Sequence, residues 1–328
     1  MRTESQMPNL WIPGMEPDPA ALQRLKDNFP MPAQPMGEAW FMGERRFFTE
    51  LMTQDSSQWE LGLMESALTA LASGPGCFGV LKEWTDWLHH LLPRLLGRIE
   101  GREWMEVYES LVTAFMARYP DERGEYPYAP FLEDVLKTLG RVPMSASNWK
   151  DGRLVARGLI SVMEDSALGP FLSCGGTISV ALFLHLKYLD EASFPEWLAS
   201  VLAIDDPVWR FKIVLWISKS KDLLLQPDQQ PGVLEFESSF GSGWQGSWCL
   251  MGGNPSSEVD PSQVAVPFLS DARRQLFREE IRRHLTCESL DRLDVEIAEL
   301  ERSQVEIYGI REQLEQASLQ ILQDYQLR

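Results

Sequence analysis

Glu83, Asp86 and His90 stand at i, i+3 and i+7, the spacing that lines side chains along one face of a helix. Two carboxylates and an imidazole so arranged could hold a divalent transition metal. Trp84, Trp87, Leu88, Leu91 and Leu92 interleave with them, so the simpler expectation is the polar edge of a core-facing amphipathic helix. His185 offers general base chemistry, yet it sits within Val180-Ala181-Leu182-Phe183-Leu184-His185-Leu186. A lone imidazole in such a stretch is more often a hydrogen-bonded core residue than a catalyst. Cys174 precedes Gly175-Gly176 at an expected helix start, where the helix dipole lowers a thiol pKa. A nucleophile there also needs a base, for which His185 is the candidate. His284, beside Arg282 and Arg283, fits a salt-bridged surface helix.

Stronger catalytic signatures do not occur. The sequence contains no GxxxxGK[ST], HExxH or GxSxG, which removes phosphate-loop, zincin and hydrolase-elbow chemistry in their usual forms, and its two GxGxxG runs, Gly74–Gly79 between two expected helices and Gly241–Gly246 in the Pro- and Gly-rich segment, lack the strand-before, helix-after setting of a dinucleotide site. Its four cysteines form no CxxC pair and no zinc-finger spacing, and fit reduced, mostly buried thiols. No catalytic residue, metal or cofactor is assigned on these grounds.

Composition narrows the partners. With 328 residues, 44% of them hydrophobic, the chain can bury a substantial core. A formal charge of −18, from 48 acidic and 30 basic residues, is spread along it without a basic patch. Direct nucleic-acid binding is therefore disfavoured, because counterion release requires clustered Lys and Arg. The same field attracts a basic protein. Mimicry of DNA needs carboxylates at phosphate-like density on one face, and this excess is thin for that. Prolines at 8, 13, 17, 19 and 30 interrupt any signal-peptide core, and no apolar run is long enough to span a bilayer. The expectation is a soluble cytoplasmic protein with no membrane contact.

Those residues must be positioned by helices. Residues 1–18 are expected as an extended arm that lays Trp11 and Ile12 onto the body. Asp18-Pro19 marks the first helix start. A helical body then covers 19–220, with helices expected at 19–28, 38–54, 57–72, 79–97, 101–118, 128–140, 151–166, 176–190, 194–204 and 207–220. In the fifth of these, Trp104, Val107, Tyr108, Leu111, Val112 and Phe115 face the core, while Glu103, Glu106, Glu109 and Ser110 face away. Short links between such helices give antiparallel hairpins, hence an all-α fold, either a diverged alpha-solenoid or an irregular bundle.

Residues 221–268 change character, being rich in Pro, Gly and Trp, and an irregular loop or a small β-hairpin is expected there, the hairpin with 234–237 and 244–250 as its strands. Phe240, Trp244 and Trp248 lie in this segment, where rigid aromatic rings suit a partner-binding hot spot. Most of the twelve tryptophans instead sit at helical core spacing.

A C-terminal helical hairpin is expected over 269–328. Leu290, Leu293, Ile297, Leu300, Ile307, Ile310, Leu314, Ala317 and Ile321 alternate at steps of three and four, the seam of a coiled-coil-like helix that would reach roughly 54 Å. Gln304, the short step from Ile307 to Ile310, and Gly309 are faults in that seam. Leu293, Ile297, Leu300, Ile307 and Leu314 join the aromatic loop as candidate partner-binding residues. The resulting expectation is a non-catalytic acidic helical protein that binds a protein partner, as an inhibitor, immunity-type protein or adaptor subunit. The alternative is an enzyme assembled from Cys174 with His185, or from the Glu83, Asp86 and His90 stripe. If the terminal hairpin is the grip, truncation after residue 268 should leave the body folded.

Overall fold

The computed structural model describes residues 9–36, 46–73, 81–98, 102–121, 124–155, 176–227, 229–231, 244–251, 267–303 and 310–327. These form an all-α protein with one small two-stranded hairpin. The helices are α1 (Pro19–Asn28), α2 (Glu50–Thr53), α3 (Leu61–Ser73), α4 (Leu81–Leu96), α5 (Arg102–Arg118), α6 (Phe131–Thr138), α7 (Gly176–Tyr188), α8 (Phe194–Leu202), α9 (Pro207–Lys219), α10 (Lys221–Leu225), α11 (Asp271–His284), α12 (Cys287–Ser303) and α13 (Ile310–Tyr325). The strands are β1 (Trp149–Lys150) and β2 (Arg153–Leu154).

Helices α7 and α9 are buried almost all round, as their nearly unbroken apolar sequences require. Their neighbours are amphipathic and present one stripe each. Trp216 of α9 donates its indole N–H to the Ser179 hydroxyl of α7 at 3.2 Å, and its ring meets Phe183 edge-on. Around α7 pack α5, α6, α11 and the 3₁₀ turn Leu139–Met144, while α10, α12 and α13 pack on α9. Sequence caps fix several of these starts. The Asp18 carboxylate accepts the N–H groups of Ala20 and Ala21, and Asp206 accepts that of Trp209 at 2.7 Å, each just before a proline at the first helical position. Such caps contribute about 1 kcal/mol apiece.

Of the expected arm, residues 9–18 are described, and one large side chain anchors them to the body. Trp11 is buried, with its ring against His185, Trp197 and Trp209, whereas Ile12 is 46% exposed. Backbone bonds stitch the rest: Trp11 N–H to the Ser200 hydroxyl, Gly14 N–H to the Met144 carbonyl, and Asp18 N–H to the Lys137 carbonyl.

Five expectations are corrected. The second expected strand is not one: residues 245–251 form a 3₁₀ helix, 232–243 lie outside the described residues, and the strand pair among the described residues falls at 149–154. There Asp151 and Gly152, both at positive φ, make the tight turn that favours Asp-Gly. Of the helix expected at 151–166, residues 151–155 are therefore not helical, and 156–166 lie outside the described residues. Of the helix expected at 38–54, residues 37–45 lie outside the described residues and helix is present only from Glu50.

The long C-terminal helix is two. Arg311 of α13 donates to both carboxylate oxygens of Asp294 on α12, at 2.9 and 2.8 Å, which a continuous helix seventeen residues long could not allow. Its faults, Gln304 and Gly309, fall in 304–309, between the two helices and outside the described residues. Finally, Glu109 does not face away: it is buried, and its carboxylate accepts the Gly246 N–H at 3.0 Å.

Candidate functional site

The interior holds three of the four histidines. The His185 ring stacks on Trp197 with centroids 5.1 Å apart; its Nδ1 donates to the Ala181 carbonyl at 3.0 Å and its Nε2 accepts the Trp11 indole N–H at 3.3 Å. Both nitrogens are committed. Complete burial holds its pKa down at about 3. His89 stacks on Phe29 and shares a 2.6 Å hydrogen bond with the Tyr119 hydroxyl, and burial lowers its pKa to about 4. His90 donates weakly to the Phe29 carbonyl and is likewise lowered to about 4 by burial, with Arg94 adding to the effect. These imidazoles are neutral packing elements at neutral pH.

The Glu83, Asp86 and His90 stripe does not converge. Glu83 pairs with Arg46 at 2.6 Å, Asp86 with Lys82 at 2.6 Å, and the His90 ring turns inward against Trp87. Cys174 lies outside the described residues, so its pairing with His185 has no geometry to weigh. No cluster of three or more potential metal ligands occurs among the described residues.

The partner-binding candidates are mostly internal. Trp244 is buried, its N–H donated to the Thr113 hydroxyl at 2.8 Å and its ring beside Phe183 and Phe268. Leu293, Ile297 and Leu314 are buried in the seam by which α12 and α13 pack on each other and on α9, and Leu300 packs partly buried against the same core. A side chain already enclosed within its own chain presents no area to a partner, so these residues are reassigned to the core. Phe240 and Ile307 lie outside the described residues, as does the side chain of Trp248.

Two concave surfaces stand out among the described residues, neither signalled by a motif. One is an open groove of about 530 Å³ between the arm, the hairpin turn and the α8–α9 junction. Ile12, Asp151, Arg153 and Asp205 line it. Asp205 there pairs with Arg210 at 3.2 Å and Arg292 at 3.8 Å.

The second, of about 480 Å³, is lined by Glu65, Thr69, Ala70 and Ser73 of α3, by Phe47 and Phe48, and by Trp84 of α4. Phe48 has φ +53°, a left-handed conformation unusual for a bulky residue. Partial burial and the nearby Glu106 carboxyl together hold the Glu65 pKa above the usual carboxylate range. Distant segments build both grooves, so local pattern could not announce them.

Comparison with family models, with curated proteins and with solved structures finds no match to this chain. Among the described residues no helix is long and apolar enough to cross a membrane.

Proposed function

We propose that the chain is a non-catalytic, acidic helical protein that grips a basic protein partner, as an inhibitor, immunity-type protein or adaptor subunit. The supporting observation is the division of its side chains. The imidazoles suited to chemistry are neutral and held in the core, while the concave surfaces are shallow and edged with carboxylates and exposed apolar groups. A net charge of −18 steers a basic partner to such a surface. The partner-facing residues are then outward groups such as Ile12, Asp151, Asp205 and Glu65, not the buried seam.

Isolation of the tagged full chain from its native cells, with native mass spectrometry, tests this reading. The expected result is one partner of net positive charge at fixed stoichiometry, whose association weakens markedly between about 50 and 500 mM NaCl. Recovery of the chain alone under gentle conditions, or substrate turnover by the purified chain, would sink it.

A further inference from the structure

The Trp11 socket is built by the body, not by the arm that fills it. Its walls are His185 on α7, Trp197 on α8 and Trp209 on α9, and the body itself holds them. His185 is fixed by its bond to the Ala181 carbonyl and its stack on Trp197, and Trp209 donates its own N–H to the Val201 carbonyl at 2.9 Å. Into these walls the Trp11 indole inserts as a ligand would. It meets His185 and Trp197 edge-on, with centroids 5.2 and 5.8 Å apart, and its one N–H reaches His185 Nε2 at 3.3 Å. An acceptor enclosed by aromatic rings demands a donor, so the socket selects a ring that carries one.

The arm's fit is incomplete. Asn9 Oδ1, in the arm, is shut off from solvent without a hydrogen-bond partner, and lifting the arm returns it to water. The Trp197 indole N–H, in the wall, is also buried without a partner, because Trp11 brings a donor and no acceptor. Backbone N–H groups of Trp11, Gly14 and Asp18 tie the arm to the body. Beside the socket opens the groove of about 530 Å³, with Trp11, Ile12 and Pro13 as one side and Ser200 and Ala203 of α8 among its other lining, so a small molecule reaches the walls once these arm residues lift.

We propose that Trp11 is a tethered self-ligand: the arm closes a preformed site for a free planar aromatic molecule with one N–H donor, an indole or a close relative, and the site opens when residues 9–14 lift off the body. A preformed, mostly apolar pocket with one fixed polar group is the usual architecture of a small-molecule site. The arm and the free ligand then compete, and apparent affinity falls by the fraction of time the arm is closed. This inference goes beyond the partner-binding role and does not depend on it.

Native-state hydrogen exchange of the full-length parent tests the opening. The Gly14 amide, bonded to the Met144 carbonyl at 2.8 Å, should exchange by a local opening that low urea does not speed, at least about a hundredfold faster than amides within α7. Indole at about 3 mM should speed it about tenfold further, the factor set by an open state with a dissociation constant near about 0.3 mM, whereas indene, of the same shape without the N–H, should speed it by less than about twofold. Trp11→Ala leaves the site open: calorimetric titration of that chain should show saturable indole binding at roughly 0.1–1 mM and indene binding at least about tenfold weaker. Gly14 exchange that follows global unfolding, no acceleration by indole, or an equal response to both probes overturns the proposal. These readings use the parent, so they decide the matter even where Trp11→Ala fails to fold. A tryptophan from a second copy has the same chemistry as the free ring. Gly14 exchange that slows as the parent is concentrated, with a dimer in sedimentation that Trp11→Ala abolishes, would assign the socket to the arm of a second copy and overturn the free ligand.

Discussion

The arm and the C-terminal helices close the same central pair, α7 and α9, by different means. The arm is extended and contributes one large side chain, Trp11, into a socket of His185, Trp197 and Trp209, with backbone hydrogen bonds for the rest. Helices α12 and α13 contribute a continuous aliphatic seam, trimmed by ion pairs such as Arg210 with Glu296 and Arg311 with Asp294. A seam is distributed and needs no polar atom inside. An indole anchor concentrates its contribution and brings an N–H that must be bonded, which is why an imidazole lies beneath it. The buried imidazole His185 lies on the arm side, while the C-terminal side has the partly exposed His284 and buries charged groups instead, Arg273, Arg274 and Glu280.

Removing the seam should have the largest effect. A chain ending at residue 268 loses Phe277, Ile281, Leu290, Leu293, Ile297, Ile310, Leu314, Ile321 and Tyr325 from the core. At about 1.5–3 kcal/mol for each buried side chain, their sum is comparable with or larger than the roughly 5–15 kcal/mol that keeps a domain folded. It also bares Trp216, which meets Phe277. No cooperative thermal transition is expected by calorimetry. A native-like melt would restore the expectation, drawn from sequence, that the body folds without its C-terminal helices.

Acid should act on the other side. His89, His90 and His185 have pKa values depressed by burial, so the unfolded chain binds more protons than the folded one below about pH 6.5. Their contribution is therefore complete above that pH and is lost as pH falls toward about 4 for His89 and His90, and about 3 for His185. Each neutral imidazole adds about 1.4 kcal/mol per pH unit to the slope. Urea melts from pH 7.5 to 4.5 should fall accordingly, and His185→Gln should flatten the slope by one proton's worth. An unchanged slope in that variant would mean that His185 titrates normally.

Trp11→Ala comes next. Deleting a buried indole of this kind costs about 3–5 kcal/mol, and it leaves His185 Nε2 without its donor. Chemical denaturation measures the loss; hydrogen exchange should show it concentrated in residues 9–18 and the 139–148 segment they bond. A loss below about 1 kcal/mol would reduce the arm to decoration.

Legibility in the sequence follows the same divide. The seam was visible from Leu290 onward because aliphatic periodicity is a local property, and the caps at Asp18-Pro19 and Asp206-Pro207 are local too. Periodicity is blind to a reversal that preserves the pattern, so it joins α12 and α13 in one seam, interrupted in sequence by Gln304 and Gly309. The turn at Asp151-Gly152 carried a signal in its dipeptide that the neighbouring helical pattern hid. Contacts across long separations left no trace: Trp244 with Thr113, Gly246 with Glu109, and Phe47 and Phe48 in one groove with α3. Both grooves belong to that class.

The smallest effect distinguishes packing from backbone entropy at two glycines. Gly140 lies in the 3₁₀ turn under His185, where an added Cβ would stand 2.3 Å from the imidazole Cε1, a distance no real contact tolerates. His185 cannot swing aside, because Trp11, Trp197 and Ala181 hold its ring. Gly140→Ala should therefore destabilise by about 1–3 kcal/mol despite the gain from a less flexible unfolded chain. Gly62 in α3 has no heavy atom within 4 Å of the same construction, so Gly62→Ala should stabilise by about 0.5–1 kcal/mol through helix propensity alone. Opposite signs in paired denaturation curves would place the strain at the imidazole beneath the arm; equal stabilisation at both sites would show that the turn and the His185 ring yield more readily than their hydrogen bonds imply.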